Sequence, residues 1–367
     1  MKRVLFLTNF ASPYRVHFFD ELGKYMDVTV LYSDRVEDIK HRNADWFEKG
    51  KGGFQAVQLT RVASVGDENL CLDVLPWLNK KFDAIIIGGY SSPTAVLAML
   101  YLRMRRIPFW MEVDGGLIRQ QEGKLKYFVK KRLVCLAKQW LSTGVHTTKY
   151  LVHYGAKEEY IRNYPFSSLY EADILKAALS EDEKKAFRQE LGIEEKHMVL
   201  AIGQFIHRKG FDVLMYAAKD LDPDTGIYIV GGEATEEYVC LREELGLRNV
   251  HFLSFQKKER LALLYKAADL FVLPTREDIW GLVINEALAY GLPTITTERC
   301  VAGLELIENG VNGYVVPVED APALAEKIRA VLNGDPEAMG RASLEKIRPY
   351  TLENMAKVHG EILESGK

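Results

Sequence analysis

The chain has few cysteines: Cys71, Cys135, Cys240 and Cys300 are scattered, with no C-x-x-C spacing. That pattern excludes a thiolate zinc site and a disulfide framework, and it fits a reducing, cytoplasmic compartment. Long apolar runs are also missing. Val4-Leu5-Phe6-Leu7 is too short for the core of a secretion signal. The most apolar region, 84–102, is broken by Gly88-Gly89, Ser91-Ser92 and Pro93, so it reads as strand, loop and helix rather than a membrane span. No H-E-x-x-H, G-x-S-x-G or Walker loop is present, and the histidines show no metal-ligand spacing. Asp222-Pro223-Asp224 has the D-x-D form of a metal site. It precedes Thr225-Gly226 between a helix and a strand, so a turn is expected there.

What is present is a globular α/β chain. An apolar fraction of 48% with 27% charged residues suits a soluble protein, and 367 residues suffice for two domains. The charge is uneven. Residues 1–165 hold 25 Lys and Arg against 17 Asp and Glu, whereas 166–367 hold 23 against 34. The first part is therefore +8 and the second −11, so the first is expected to meet something acidic. Strand candidates Val4–Leu7, Val28–Leu31, Ala84–Ile87 and Pro108–Val113 alternate with helical patterns at 14–22 and 92–102. The scheme restarts after 196: strands at 198–202, 227–230, 250–253, 270–273 and 293–296, with helices at 211–221, 236–245, 258–267 and 282–290. Short buried strands alternating with helices imply parallel sheets covered on both faces. Two doubly wound domains are expected, 1–165 and 166–345, facing each other across a cleft at the carboxyl ends of their strands. The tail has helical apolar spacing at Leu352, Met355, Val358 and Ile362.

Two loops of the second half carry chemistry. In Thr275-Arg276-Glu277-Asp278-Ile279-Trp280-Gly281-Leu282-Val283-Ile284-Asn285-Glu286-Ala287, a strand exits through two acids and a glycine into a helix that stops at Gly291-Leu292-Pro293. A helix N-terminus receives anions through its unpaired amides, and nearby carboxylates grip sugar hydroxyls, a combination that suits a nucleotide-sugar. The plainer alternative makes Asp278 a helix cap and Glu286 a solvated acid. The other loop, Gly203-Gln204-Phe205-Ile206-His207-Arg208-Lys209-Gly210, sets two cations before a helix. Lysine supplies a point charge and arginine a fork for a diphosphate. Its alternative is a solvated basic loop.

Asp278, seven intervening residues and Glu286 resemble the donor motif of retaining glycosyltransferases of family 4, with Asp in place of the usual first Glu. Lys209-Gly210 matches the Lys-Gly of the same family's phosphate loop, where Gln204 replaces the usual Arg. Ile229-Val230-Gly231-Gly232 and 268–274 also follow the family pattern. The resemblance implies a GT-B fold, with residues 346–367 forming a helix that returns to the first domain. It further implies transfer of a UDP- or GDP-linked sugar to a hydroxyl acceptor with retention and without a metal or other cofactor. In that scheme Arg208 and Lys209 stabilise the leaving diphosphate, Asp278 (with Glu277 beside it) holds the donor sugar, and Glu286 holds the ribose. Gly203, Gln204 and the amides of Trp280, Gly281 and Leu282 meet phosphate or sugar, and Phe255 flanks the base or else is a core aromatic. In the first domain, relatives place a His near the strand end occupied here by Glu112 and Asp114. Either carboxylate would then face the acceptor or donor sugar, or Asp114 simply forms an Asp-Gly turn. Tyr14 and Arg15 would lie on the acceptor side, in a loop that lacks the glycines common in relatives.

From Arg103 to Lys138 there are ten cations and three acids, and the stretch 126–140 has helical period with aromatics interleaved. Lys126, Lys130, Lys131, Arg132 and Lys138 are candidates for an anionic membrane surface, against an ordinary solvated helix face. Nucleic acid is not expected, because no binding motif accompanies the charge. The acceptor would then be a saccharide or lipid-linked saccharide of cell-surface polysaccharide assembly, with the protein cytoplasmic or peripheral on the inner membrane face. A nucleotide-sugar 2-epimerase on the same architecture and a non-catalytic nucleotide-sugar scaffold are the rival readings.

Overall fold

The computed structural model describes residues 1–34, 52–66, 68–119 and 121–366. It divides into two compact units, Met1–Tyr170 with Tyr350–Lys367, and Glu171–Pro349.

The first unit runs β1 (Arg3–Thr8), α1 (Pro13–Leu22), β2 (Asp27–Tyr32), β3 (Gln55–Gln58), an antiparallel pair β4 (Ala63–Val65) and β5 (Glu68–Leu70), then β6 (Ala84–Gly88), α2 (Pro93–Met104), β7 (Trp110–Val113), α3 (Lys124–Val134), β8 (Gln139–Ser142), α4 (Val145–His153) and β9 (Ile161–Asn163). Its seven-stranded parallel sheet has the order β3-β2-β1-β6-β7-β8-β9. Val4, Leu5, Phe6 and Leu7 are all buried, which is why β1 reads as a continuous apolar run rather than an alternation. Ser12-Pro13 and Ser92-Pro93 start α1 and α2 with proline in the first turn, where its missing N–H costs nothing.

The second unit runs α5 (Glu181–Leu191), β10 (His197–Ile202), α6 (Phe211–Ala218), β11 (Thr225–Val230), α7 (Glu236–Glu244), β12 (Val250–Leu253), α8 (Lys258–Ala267), β13 (Leu270–Leu273), α9 (Leu282–Ala289), β14 (Thr294–Thr297), α10 (Val301–Leu306), β15 (Gly313–Val316), α11 (Ala321–Leu332) and α12 (Pro336–Ile347). Its parallel sheet has the order β12-β11-β10-β13-β14-β15. α5 opens on a reciprocal capping box: Ser180 Oγ accepts from the Glu183 amide, and the Glu183 carboxylate accepts from the Ser180 amide at 2.8 Å. Asp222-Pro223-Asp224 is a turn, with the Asp224 and Thr225 amides both donating to Asp222 at 2.9 Å.

Three elements differ from the expectation. The helical pattern read over 126–140 breaks at Val134. The Trp140 indole donates to the Val134 carbonyl (3.2 Å), and Trp140 itself is buried as part of β8. The units divide at Tyr170 and Pro349 rather than at 165 and 345. Ser167 Oγ donates to the Tyr350 carbonyl and the Leu352 amide to the Leu169 carbonyl, both at 2.7 Å, which stitches the departing and returning strands of chain together. The last helix, α13 (Leu352–Ser365), packs on α1 within the first unit. Its buried face is Leu352, Met355, Ala356, His359, Gly360 and Leu363, rotated from the stripe through Val358 and Ile362, with His359 at its centre paired to Glu112.

Candidate functional site

In the second unit, the two chemistry-bearing loops leave the carboxyl ends of neighbouring strands β10 and β13, where open α/β sheets bind ligands. After β10, the chain makes a short turn over His207–Lys209 and reaches Gly210 at φ 69°. A Cβ on Gly210 would lie 2.1 Å from the Pro274 carbonyl, so only glycine lets the loop approach the exit of β13 this closely. The two loops are then sewn together. The Arg208 carbonyl accepts from the Thr275 hydroxyl and the Arg276 amide, each at 2.8 Å, and the Arg208 guanidinium donates to the Glu277 carbonyl at 3.0 Å. Lys209 Nζ donates to Asp278 Oδ2 at 2.6 Å, and Arg208 Nη1 lies 3.5 Å from Asp278 Oδ1. The structure thus brings Arg208, Lys209 and Asp278 into one cluster across 69 residues of chain.

Asp278 is not the helix cap of the plainer alternative. The N-cap of α9 is Gly281, at φ 99°, where a Cβ would fall 2.9 Å from Cys300 Sγ. The Asp278 backbone pairs on both sides, its amide with the Arg299 carbonyl (2.8 Å) and its carbonyl with the Val301 amide (3.2 Å). That pairing leaves its carboxylate directed at Lys209. Glu277, one residue earlier, is paired with Arg299 at 2.7 Å. Trp280 is buried and its indole donates to Asn285 Oδ1 (2.9 Å), so the side chain belongs to the core and only its backbone stands at the head of α9. Leu282 opens the helix, whose first-turn amides carry the positive end of the dipole. Glu286 lies in its second turn, partly buried, accepting from the Tyr265 hydroxyl at 2.8 Å. Burial raises its carboxyl above the ordinary glutamate value, against the lowering by that hydrogen bond. Gln204 is exposed, and Gly203 donates from its amide to the Val230 carbonyl at 2.9 Å. Phe255 is 51% exposed just beyond β12, which rules out the core role for it.

Sequence reasoning missed the residue that locks this arrangement. The Arg276 guanidinium forks onto both oxygens of Asp212 (2.9 and 2.6 Å), reaches Glu319 (2.7 Å) and donates to the His207 carbonyl (2.7 Å). The hydrogen bonds that Arg276 donates to Asp212 are the main cause that holds it above its ordinary value. A cation beside the motif acid was the available signal, but Asp212 and Glu319 are remote in sequence.

In the first unit, the residues singled out around β7 form a buried charge network. Arg15 donates to Glu112 Oε2 (2.9 Å) and to Asp114 Oδ1 (2.5 Å). His359 Nδ1 donates to the Met355 carbonyl (2.8 Å), and its Nε2 faces Glu112 Oε1 at 3.2 Å. Burial would raise the Glu112 carboxyl, but Arg15 and His359 outweigh it and lower it to about 2. Glu112 is 2% exposed, so it acts on its neighbours and not on solvent. The Asp114 side chain keeps 32% exposure and also accepts from the Tyr164 hydroxyl at 3.1 Å. Burial, aided by the Glu112 charge, raises it above the ordinary aspartate value against the pull of Arg15. Arg15 is itself buried, and Tyr14 packs edge-on against Phe166. His359 was not anticipated, and its signal was a polar residue inside the apolar stripe of the last helix.

Of the five cations proposed for a membrane surface, Lys130 turns inward, bridging Glu122 (2.7 Å) and the Tyr154 hydroxyl (3.2 Å). Lys138 stands outside α3, in the turn before β8. Among the described residues, no helix is long and apolar enough to cross a membrane.

Residues 183–346, most of the second unit, match the family described as Glycosyl transferases group 1. A D-inositol 3-phosphate glycosyltransferase of Mycobacterium sp. (strain KMS) is 34% identical over 178 residues, 46% of this chain and 40% of that protein. An uncharacterized glycosyltransferase of Methanocaldococcus jannaschii is 32% identical over 188 residues, 49% of this chain and 48% of its own length. The matched stretch therefore spans less than half of these curated relatives. Among solved structures, Anabaena HepE in complex with UDP superposes with a TM-score of 0.75 at 19% identity over 100% of both chains. WaaG, a glycosyltransferase involved in lipopolysaccharide biosynthesis, gives 0.65 at 18% identity over 98% of this chain and 99% of its own. The architecture is the GT-B fold, with two parallel-sheet Rossmann-like domains.

Proposed function

We propose that the protein is a retaining glycosyltransferase that moves a sugar from a UDP- or GDP-linked donor to a hydroxyl acceptor. The observation that carries this reading is the 2.6 Å pair of Lys209 and Asp278 beside the head of α9, with Arg208 next to it. When the bond between the anomeric carbon and the phosphate oxygen breaks, the electron pair stays on the diphosphate. Lys209, Arg208 and the first amides of α9 meet that growing charge, so they bind the transition state more strongly than the ground state. Asp278 accepts hydroxyl hydrogens of the donor sugar, and Glu286 accepts those of the ribose. The departing diphosphate oxygen takes the acceptor proton on the same face, so no separate protein base and no metal is required. Arg276 is a positioning residue, since it touches the loop carrying the cations rather than the substrate.

The family match supports this reading for the second unit, where the donor residues lie. It carries nothing for the acceptor, whose proposed contacts are Asp114 and Tyr14 of the first unit; Arg15, expected on the acceptor side, is buried and holds Asp114 in place. A lipid-linked saccharide used in cell-surface polysaccharide assembly fits the basic first half and the exposed apolar face of α3. The protein would then work on the cytoplasmic surface of a membrane.

A thermal-shift screen of nucleotide-sugars and nucleoside diphosphates, with and without EDTA, tests the donor site. The expected result is stabilisation by one nucleotide series, unchanged by EDTA and lost in Glu286→Ala. Absence of any shift overturns the donor site. Binding without turnover on any acceptor would establish a scaffold, and conversion of the donor to its 2-epimer would establish an epimerase.

A further inference from the structure

Where β7 and β8 begin, the first unit carries a depression of about 580 Å³. Arg103, Arg106 and Lys138 line it over an apolar floor of Ile107, Phe109 and Leu136, and no acid lines it. None of the three cations is ion-paired with a described residue.

The backbone at Arg106 is the informative feature. α2 ends in a Schellman turn: the Arg106 amide donates to the Arg103 carbonyl (3.2 Å) and the Ile107 amide to the Leu102 carbonyl (2.9 Å). Helices α4, α5, α7 and α9 close with the same pair of bonds, and each has glycine at the equivalent position, Gly155, Gly192, Gly246 and Gly291, with φ between 66° and 93°. Only at α2, among these five, does a side chain occupy that place, with Arg106 at φ 57°. A Cβ in the left-handed region costs about 1 kcal/mol. A helix needing only a cation near its C-terminal dipole could carry one without this cost, as Arg103 does in the last turn. A costly backbone state kept at one position points to a role for the side chain.

The surroundings indicate the ligand. On α2, Leu100 lies one helical turn from both Arg103 and Met104, and Leu100 and Met104 are 51% and 72% exposed. On α3, Leu125, Phe128 and Val129 are exposed in one stripe, and the Arg132 guanidinium lies 4.8 Å over the Phe128 ring. Large exposed apolar side chains among cations are the surface that an anionic bilayer binds. We propose that the depression is a headgroup site for an anionic phospholipid, with Arg106 and Arg103 on the phosphate and the apolar stripes of α2 and α3 entering the interface. This rests on the membrane reading above and moves its centre from Lys130 to Arg106.

The test is co-sedimentation of the full chain with vesicles of phosphatidylglycerol and phosphatidylcholine, against phosphatidylcholine alone. The key variant is Arg106→Gly, which suits the observed φ and so keeps the fold. Its Tm should equal or exceed that of the wild type, while its affinity for the anionic vesicles falls about fivefold or more, the worth of one basic residue at an anionic surface. Arg103→Glu with Lys138→Glu should abolish binding. If Arg106→Gly binds like the wild type while Lys126, Lys131 and Arg132 changed to Glu do not bind, the headgroup site is overturned and the broader membrane reading stands. If the wild type binds no anionic vesicles, both fall. Stabilisation of the wild type, but not of Arg106→Gly, by millimolar inorganic phosphate without vesicle binding would overturn the lipid in favour of a soluble anion. The nucleotide screen is independent of all these outcomes, because its residues lie in the other unit.

Discussion

Each unit buries a cluster of charges, and the two clusters sit at opposite ends of their sheets. In the second unit Asp269, just before β13, accepts from the Met198 amide (2.9 Å) and from Arg188 (3.1 and 3.2 Å), with Lys184 at 3.7 Å. Asp269, Arg188 and Lys184 are all nearly inaccessible, and they join α5 to the amino ends of β10 and β13. In the first unit Arg15, Glu112 and His359 lie at the carboxyl ends of strands and terminate in Asp114, which keeps a solvent-facing portion. The same chemistry therefore has two roles. At the amino ends a buried network can only hold elements together, whereas at the carboxyl ends it can also aim a group at a ligand.

The sharpest way to break this comparison is Asp269→Ala. It leaves the buried Lys184 without its partner and Arg188 with only the exposed Glu181 as counter-charge, and should cost about 3–5 kcal/mol, read as a fall in Tm or in the denaturant midpoint. Donor affinity of the folded fraction should be unchanged, and a parallel loss of donor affinity would merge the two roles. Lys209→Ala should do the reverse: sugar transfer falls about 10²–10³-fold with only a small change in Tm.

Glu112→Gln probes the first unit's cluster by pH. A carboxyl lowered to about 2 in the folded chain contributes stability that is complete above its unfolded value near 4.5 and drains away as pH falls from there towards 2. Wild-type Tm should therefore drop through that window more steeply than that of Glu112→Gln, which is less stable at pH 7. Equal slopes would mean that the cluster stores no charge-dependent stability. The smallest expected effect is that of Arg276→Lys. It keeps the charge but loses the fork on Asp212, and transfer should fall about tenfold with Tm nearly unchanged.

The parts of the site that could be read along the chain were those in which neighbours in sequence act together. Lys209-Gly210 and Asp278 with Glu286 each lie within one loop–helix turn, and their chemistry follows from that turn. Strands such as Val4–Leu7 and Leu270–Leu273 were legible because buried parallel strands are unbroken apolar runs. β8 was not, because Gln139-Trp140-Leu141-Ser142 continues a helical period until the Trp140 indole caps α3. Arg276 and His359 were not legible either. Each acts through a partner far away in sequence, Asp212 for one and Glu112 for the other.

The amino-acid sequence by itself determined the alternation of strands and helices, the division into two α/β units and the residues that supply charge to the loops after β10 and β13. Those depend on periodicity and on turn chemistry, which are local. Only the tertiary structure decided that Lys209 meets Asp278, that Glu112 is sealed behind Arg15 and His359, that Lys130 turns inward and that Arg106 is held in a left-handed turn at the rim of a basic depression. A side chain's direction depends on register and on packing between distant elements, and no local pattern encodes either.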